Sequence, residues 1–105
     1  MSDPGQAARD MIQRQIKELD AISSKTIEDL NTVAGTERVA KWKTSTVPLL
    51  AQLVGKKEAQ EFADKRPGPV YTHDILEEFG DEVDLYRSYL VALLKKVGVV
   101  LPPAG

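Results

Sequence analysis

Ala8, Ile12, Ile16, Leu19, Ile22, Ile27, Leu30 and Val33 recur mostly at intervals of three and four residues. That spacing lines one face of an α-helix and buries it. Asp3-Pro4-Gly5-Gln6 reads as the start: Asp3 can accept orphan amide protons, Pro4 suits the first helical position and Gln6 can complete a capping box. The pattern predicts a first helix over 4–34, stopped by Gly35 and roughly 45 Å long at 1.5 Å per residue. Ser23-Ser24 compete for backbone hydrogen bonds, so the sequence fits either a break there or a continuous rod.

Thr36 can cap a second helix over 36–54, in which Val39, Trp42, Thr46, Leu49 and Leu53 form the apolar stripe. Pro48 deletes one backbone hydrogen bond and crowds the Thr44 carbonyl, which predicts a kink near 44–48. Gly55 is the natural stop. A short third helix is predicted over 57–65, followed by a loop at Arg66-Pro67-Gly68-Pro69. The last helix, over 74–97, carries the strongest pattern: Ile75, Phe79, Val83, Tyr86, Leu90, Leu93 and Val97. Thr72 or Asp74 caps it, with Glu77 in the capping-box position, and Gly98 closes it before a tail at 98–105. No alternating strand and no repeat is visible. The fold class read from this pattern is all-α: a small antiparallel bundle of about four helices, with a long first helix and a central C-terminal helix that touches the others. Trp42 is expected in the core, against Leu90 or Leu93.

A chain of 105 residues is read as one domain, 1–105. The absence of cysteine removes disulfides, thiolate metal sites and cysteine nucleophiles, and a single histidine, His73, leaves little for histidine chemistry. Ser23, Ser24, Ser45 and Thr46 would all have to share that histidine, and none lies in a glycine-rich elbow. No catalytic residue, cofactor or metal is therefore expected, and the chain is read as a non-enzyme. The net charge of -2 gives no general attraction to nucleic acid or anionic membrane, and no apolar run is long enough to span a bilayer. Without a basic-then-apolar leader pattern, the expected location is the cytoplasm.

Charge distribution says more than net charge. Asp74, Glu77, Glu78, Asp81, Glu82 and Asp84 form an acidic run without a base, explained by an exposed helix face near a positive N-terminal dipole. Arg38, Lys41, Lys43, Lys56 and Lys57 form the basic counterpart and are the candidate nucleic-acid-binding residues of an alternative, regulatory reading. Gly80, within the last helix, fits a close helix crossing or a bend. The first helix carries a stripe longer than the other helices can cover, so its start, around Ala8, Met11 and Ile12, is the expected partner-binding or self-association surface.

Gly35, Arg38, Trp42-Lys43, Thr46, Leu49-Leu50, Gly55, Glu58-Ala59 and Phe62, followed by Asp84-Leu85-Tyr86, Tyr89-Leu90 and Ala92-Leu93, resemble small helical domains that precede effector domains in bacterial defence proteins, some of them TIR-like. The resemblance spans roughly residues 35–97, and Pro48 departs from it. It implies an N-terminal adaptor or sensor module of a larger antiviral effector, with no catalytic residue of its own. The expected function is a non-enzymatic helical module for protein interaction or oligomerisation.

Overall fold

A computed structural model describes residues 4–68 and 74–100 of the chain. It holds four helices: α1 (Pro4–Asp29), α2 (Thr32–Leu53), α3 (Lys56–Ala63) and α4 (Ile75–Val100). No strand occurs among the described residues, and the fold is an all-α bundle. Contacts give the directions. Thr26 of α1 lies against Gly35 of α2, and Gln15 against Trp42 and Thr46, so α1 and α2 are antiparallel. Asp20 pairs with Arg87, and Phe79 reaches the Thr26–Gly35 contact, so α4 also runs antiparallel to α1. α4 packs along α1, more lightly on α2, and reaches α3 through Tyr89.

The first helix departs from its expected limits. It runs unbroken through Ser23 and Ser24 but ends at Asp29 rather than at residue 34. The turn is made by Leu30, in the left-handed region at φ 56°, and Asn31, whose side chain accepts from the Ala34 amide at 3.1 Å as N-cap of α2. Gly35 is therefore not a stop. It lies inside the first turns of α2, where an added Cβ would run into the Thr26 side chain, 2.5 Å from Cγ2, and meet Phe79 Cε1 at 3.0 Å. The missing side chain lets α1 and α2 approach closely beside their turn.

The buried stripe of α1 continues from Ile22 to Thr26, one helical step of four, and not to Ile27. The fully buried Thr26 hydroxyl donates to the Ile22 carbonyl at 2.8 Å, which removes the cost of burying it. α2 passes through Pro48 without interruption, and the Val54 and Gly55 amides close it on the Leu50 carbonyl. α3 starts at Lys56, one residue before its expected start, and ends two residues early. Asp74 caps α4 as read from the sequence, accepting from the Leu76 and Glu77 amides. α4 then continues past Gly98 to Val100. The expected cap Asp3, the alternative cap Thr72 and the tail at 101–105 lie outside the described residues.

The core gathers around Trp42. Its ring lies 5.7 Å from Phe62 of α3 and 6.2 Å from Tyr86 of α4, centroid to centroid, and its Nε1 donates to the Gln15 carbonyl of α1 at 3.0 Å. Leu90 and Leu93, its expected neighbours, are buried in the same core cluster. Thr46 lies 2.8 Å from Gln15 Oε1, so the buried Gln15 is held by both its backbone and its side chain.

The close crossing occurs at Gly35 and not at Gly80, where an added Cβ would meet nothing within 4 Å. Gly35→Ala should therefore lower stability by about 1–3 kcal/mol through overpacking. Gly80→Ala should raise it by up to about 1 kcal/mol through helix propensity. Urea denaturation of the two variants checks this, and a stabilised Gly35→Ala would contradict the packing described.

Candidate functional site

Ala8, Met11 and Ile12, the expected partner surface, are buried: Ile12 is fully enclosed. α1 and α4 each have 26 residues and run antiparallel, so the last turns of α4 cover the first turns of α1. The uncovered part of the apolar surface is at the opposite end. Among the described residues the large apolar side chains left exposed are Ile27 (59%), Leu30 (68%), Val33 (72%), Ile75 (61%) and Leu76 (39%). All five sit where α1 ends and α2 and α4 begin. The contact of Thr26, Gly35 and Phe79 ties these three helix ends together, and Ile75 stands with Thr36 and Phe79 around a small hollow.

Glu28, Asp29, Glu37, Asp74, Glu77 and Glu78 stand on the same helix ends, against Lys25 and Arg38. Lys25 already pairs with Asp29 at 3.4 Å. The end is thus apolar with an acidic rim. Leu30 adds a second departure from what stability alone favours. A left-handed backbone costs a branched residue on the order of 1 kcal/mol or more, which glycine avoids, and the side chain regains little by burial. The sequence periodicity places Ile27, Leu30 and Val33 in the buried stripe. Two signals could have separated them: the step of five from Ile22 to Ile27, and Asn31 as a helix-capping residue.

The basic residues do not form one surface. Arg38 and Lys41 are exposed on α2, whereas Lys56 and Lys57 open α3, beyond roughly 22 Å of helix axis from Arg38. Lys43 turns away from both pairs. Its Nζ donates to the Lys65 carbonyl at 2.7 Å and stands 4.7 Å from the centre of the Tyr86 ring. The acidic run does not converge either: among the described residues no three metal-ligating side chains gather into a group. His73 lies outside the described residues.

Lys43 stands in a second feature, an open cleft of about 530 Å³ bounded by α2, the end of α3 and α4. Arg66, Glu82 and Tyr86 also line it. Burial lowers the Lys43 pKa, helped by the nearby Arg66 and opposed by Glu82 and Asp64. Burial likewise raises Glu82, against the pull of Lys43 and of a hydrogen bond with Tyr86. Tyr86 is raised by burial and then by the Glu82 charge. Across α4, the Tyr89 hydroxyl lies 3.1 Å from the Glu58 carbonyl and 3.2 Å from Glu61 Oε1. Burial first, and then the Glu61 charge, push Tyr89 up to about 12.

No family model, no curated protein and no solved structure matches the chain. Among the described residues no helix is long and apolar enough to cross a membrane.

The Tyr89 environment gives a measurable pH dependence. An unfolded tyrosine ionises near 10, so the native state alone keeps this proton between about pH 10 and 12. Its contribution to stability is complete below about pH 10 and is lost as pH rises towards 12. Alkaline titration at the tyrosinate absorption band should show a component with a midpoint near 12 that Tyr89→Phe removes. Ionisation of every tyrosine near 10 in the folded protein would contradict the contact.

Proposed function

We propose that the chain is a non-enzymatic interaction module that docks a partner protein on the end formed by Ile27, Leu30, Val33, Ile75 and Leu76. The observation that carries this reading is Leu30, a largely exposed leucine in a backbone conformation that glycine adopts at lower cost. Local strain without a folding gain is characteristic of sites selected for something other than stability. An apolar surface of this kind is also the usual mark of an interaction site.

The acidic rim selects among partners. Two copies meeting end to end would bring like charges together, which is costly at an interface. The fitting partner is a segment with apolar residues flanked by lysine or arginine, such as a basic amphipathic helix laid on the apolar end. A role as the adaptor or sensor part of a larger bacterial defence effector in the cytoplasm, as the sequence resemblance implies, is the setting proposed for it. The dispersal of Arg38, Lys41, Lys43, Lys56 and Lys57 weighs against the nucleic-acid alternative.

The test uses an amphipathic leucine–lysine helical peptide and its leucine–glutamate counterpart, with binding followed by calorimetry. The wild type should bind the lysine peptide in preference. A triple variant, Ile27→Ser, Leu30→Gly and Val33→Ser, should lose that binding while keeping its melting temperature. Equal binding by wild type and variant, preference for the glutamate peptide, or unfolding of the variant would overturn the reading.

A further inference from the structure

The Lys65 carbonyl oxygen accepts from two cations at once, Lys43 Nζ at 2.7 Å and Arg66 Nη1 at 2.8 Å. The two positive groups are therefore held within the sum of those distances, on one wall of the cleft. Arg66 Nη1 also donates to the Ala63 carbonyl at 2.6 Å, which fixes the guanidinium at the end of α3. Lys65, the neighbouring base, points elsewhere, its Nζ 5.3 Å from the centre of the Tyr89 ring. The charged side chains that line the cleft are thus Lys43, Arg66 and Glu82: two positive and one negative. Burial is the main reason that the Lys43 pKa is lowered; Arg66 adds to it, and the carboxylates of Glu82 and Asp64 oppose it.

The remaining walls are largely apolar, with Val39, Ala40 and Val47 of α2 and Pro67 after α3. A volume of about 530 Å³ with apolar walls and a few convergent polar groups is the form that small-molecule sites take. We infer that this cleft binds a small organic monoanion, its carboxylate seated between Lys43 and Arg66 and its hydrocarbon body laid along Val39, Ala40 and Val47. Arg66 engages the two carbonyls through Nη1, and its planar fork offers further donors on Nη2 and Nε for a carboxylate. The cleft adjoins the hollow at the apolar end through Thr36, Pro67 and Glu82, but Lys43 and Arg66 line only the cleft, so failure of the anion test would leave the docking proposal standing.

The test is a titration of the ¹⁵N-labelled full chain with hexanoate, hexan-1-ol and inorganic phosphate, read from amide chemical shifts. Hexanoate should give saturable shifts at Ala40, Thr44, Ala63 and Glu82. The uncharged alcohol and the compact anion should bind at least tenfold more weakly. Arg66→Gln and Lys43→Gln should each weaken hexanoate by about tenfold or more, as expected for loss of one charge-assisted hydrogen bond. Arg66 is exposed, so its variant keeps the test intact should Lys43→Gln fail to fold. Absence of saturable shifts, equal binding of hexanol or phosphate, or unchanged affinity in Arg66→Gln would overturn the proposal.

Discussion

The indole of Trp42 is the point through which all four helices meet. It belongs to α2, donates to a main-chain carbonyl of α1, and lies against an aromatic ring of α3 and another of α4. Phe62 and Tyr86 also meet edge to face at 5.7 Å, so the three rings form a closed cluster. Such rings contribute through buried area and through edge-to-face geometry. Removal of one buried aromatic generally costs about 3–5 kcal/mol, a large share of the roughly 5–15 kcal/mol that holds a small domain together. The polar contacts around Trp42 add direction. Gln15 takes its bonds from the Trp42 indole and stands beside the Thr46 hydroxyl, which fixes the register of α1 on α2.

That register decides what is left over. With α1 fixed at Gln15, the equal length of α4 covers its first turns, and the surplus apolar surface falls at the other end. There the close approach allowed by Gly35 holds α1, α2 and α4 together, while the turn itself is strained at Leu30. The bundle is thus fastened around Trp42 and open at its α1–α2 corner. The proposed docking surface follows from this asymmetry, whereas the anion cleft lies closer to the fastened part, against Tyr86 and the end of α3.

Much of the fold was legible because it rests on periodicity. Four helices, the inward Trp42 and the Asp74 cap all follow from spacing and capping chemistry, which act within a few residues. The α1–α2 boundary was not legible in the same way. Gly35 has the composition of a stop but serves a tertiary contact with Thr26, and Leu30 adopts a conformation its residue type disfavours. Thr26 hid the true course of the stripe, because a hydroxyl that bonds its own helix behaves as a core residue. A helix reaching residue 34 would have a surplus at its start, whereas one that ends at Asp29 does not. The candidate cleft was illegible for another reason. Lys43, Arg66, Glu82 and Tyr86 lie far apart in sequence and meet only through the packing of three elements.

Residue-resolved native-state hydrogen exchange tests this asymmetry most directly, since it reads the free energy of opening at each amide. Amides in 12–19 of α1 and 39–47 of α2 should exchange only through global unfolding. Those in 27–34 should exchange through a local opening at least about 2 kcal/mol lower. Protection at the corner equal to that around Trp42 would contradict the account, because it would place the strained turn within the fastened core.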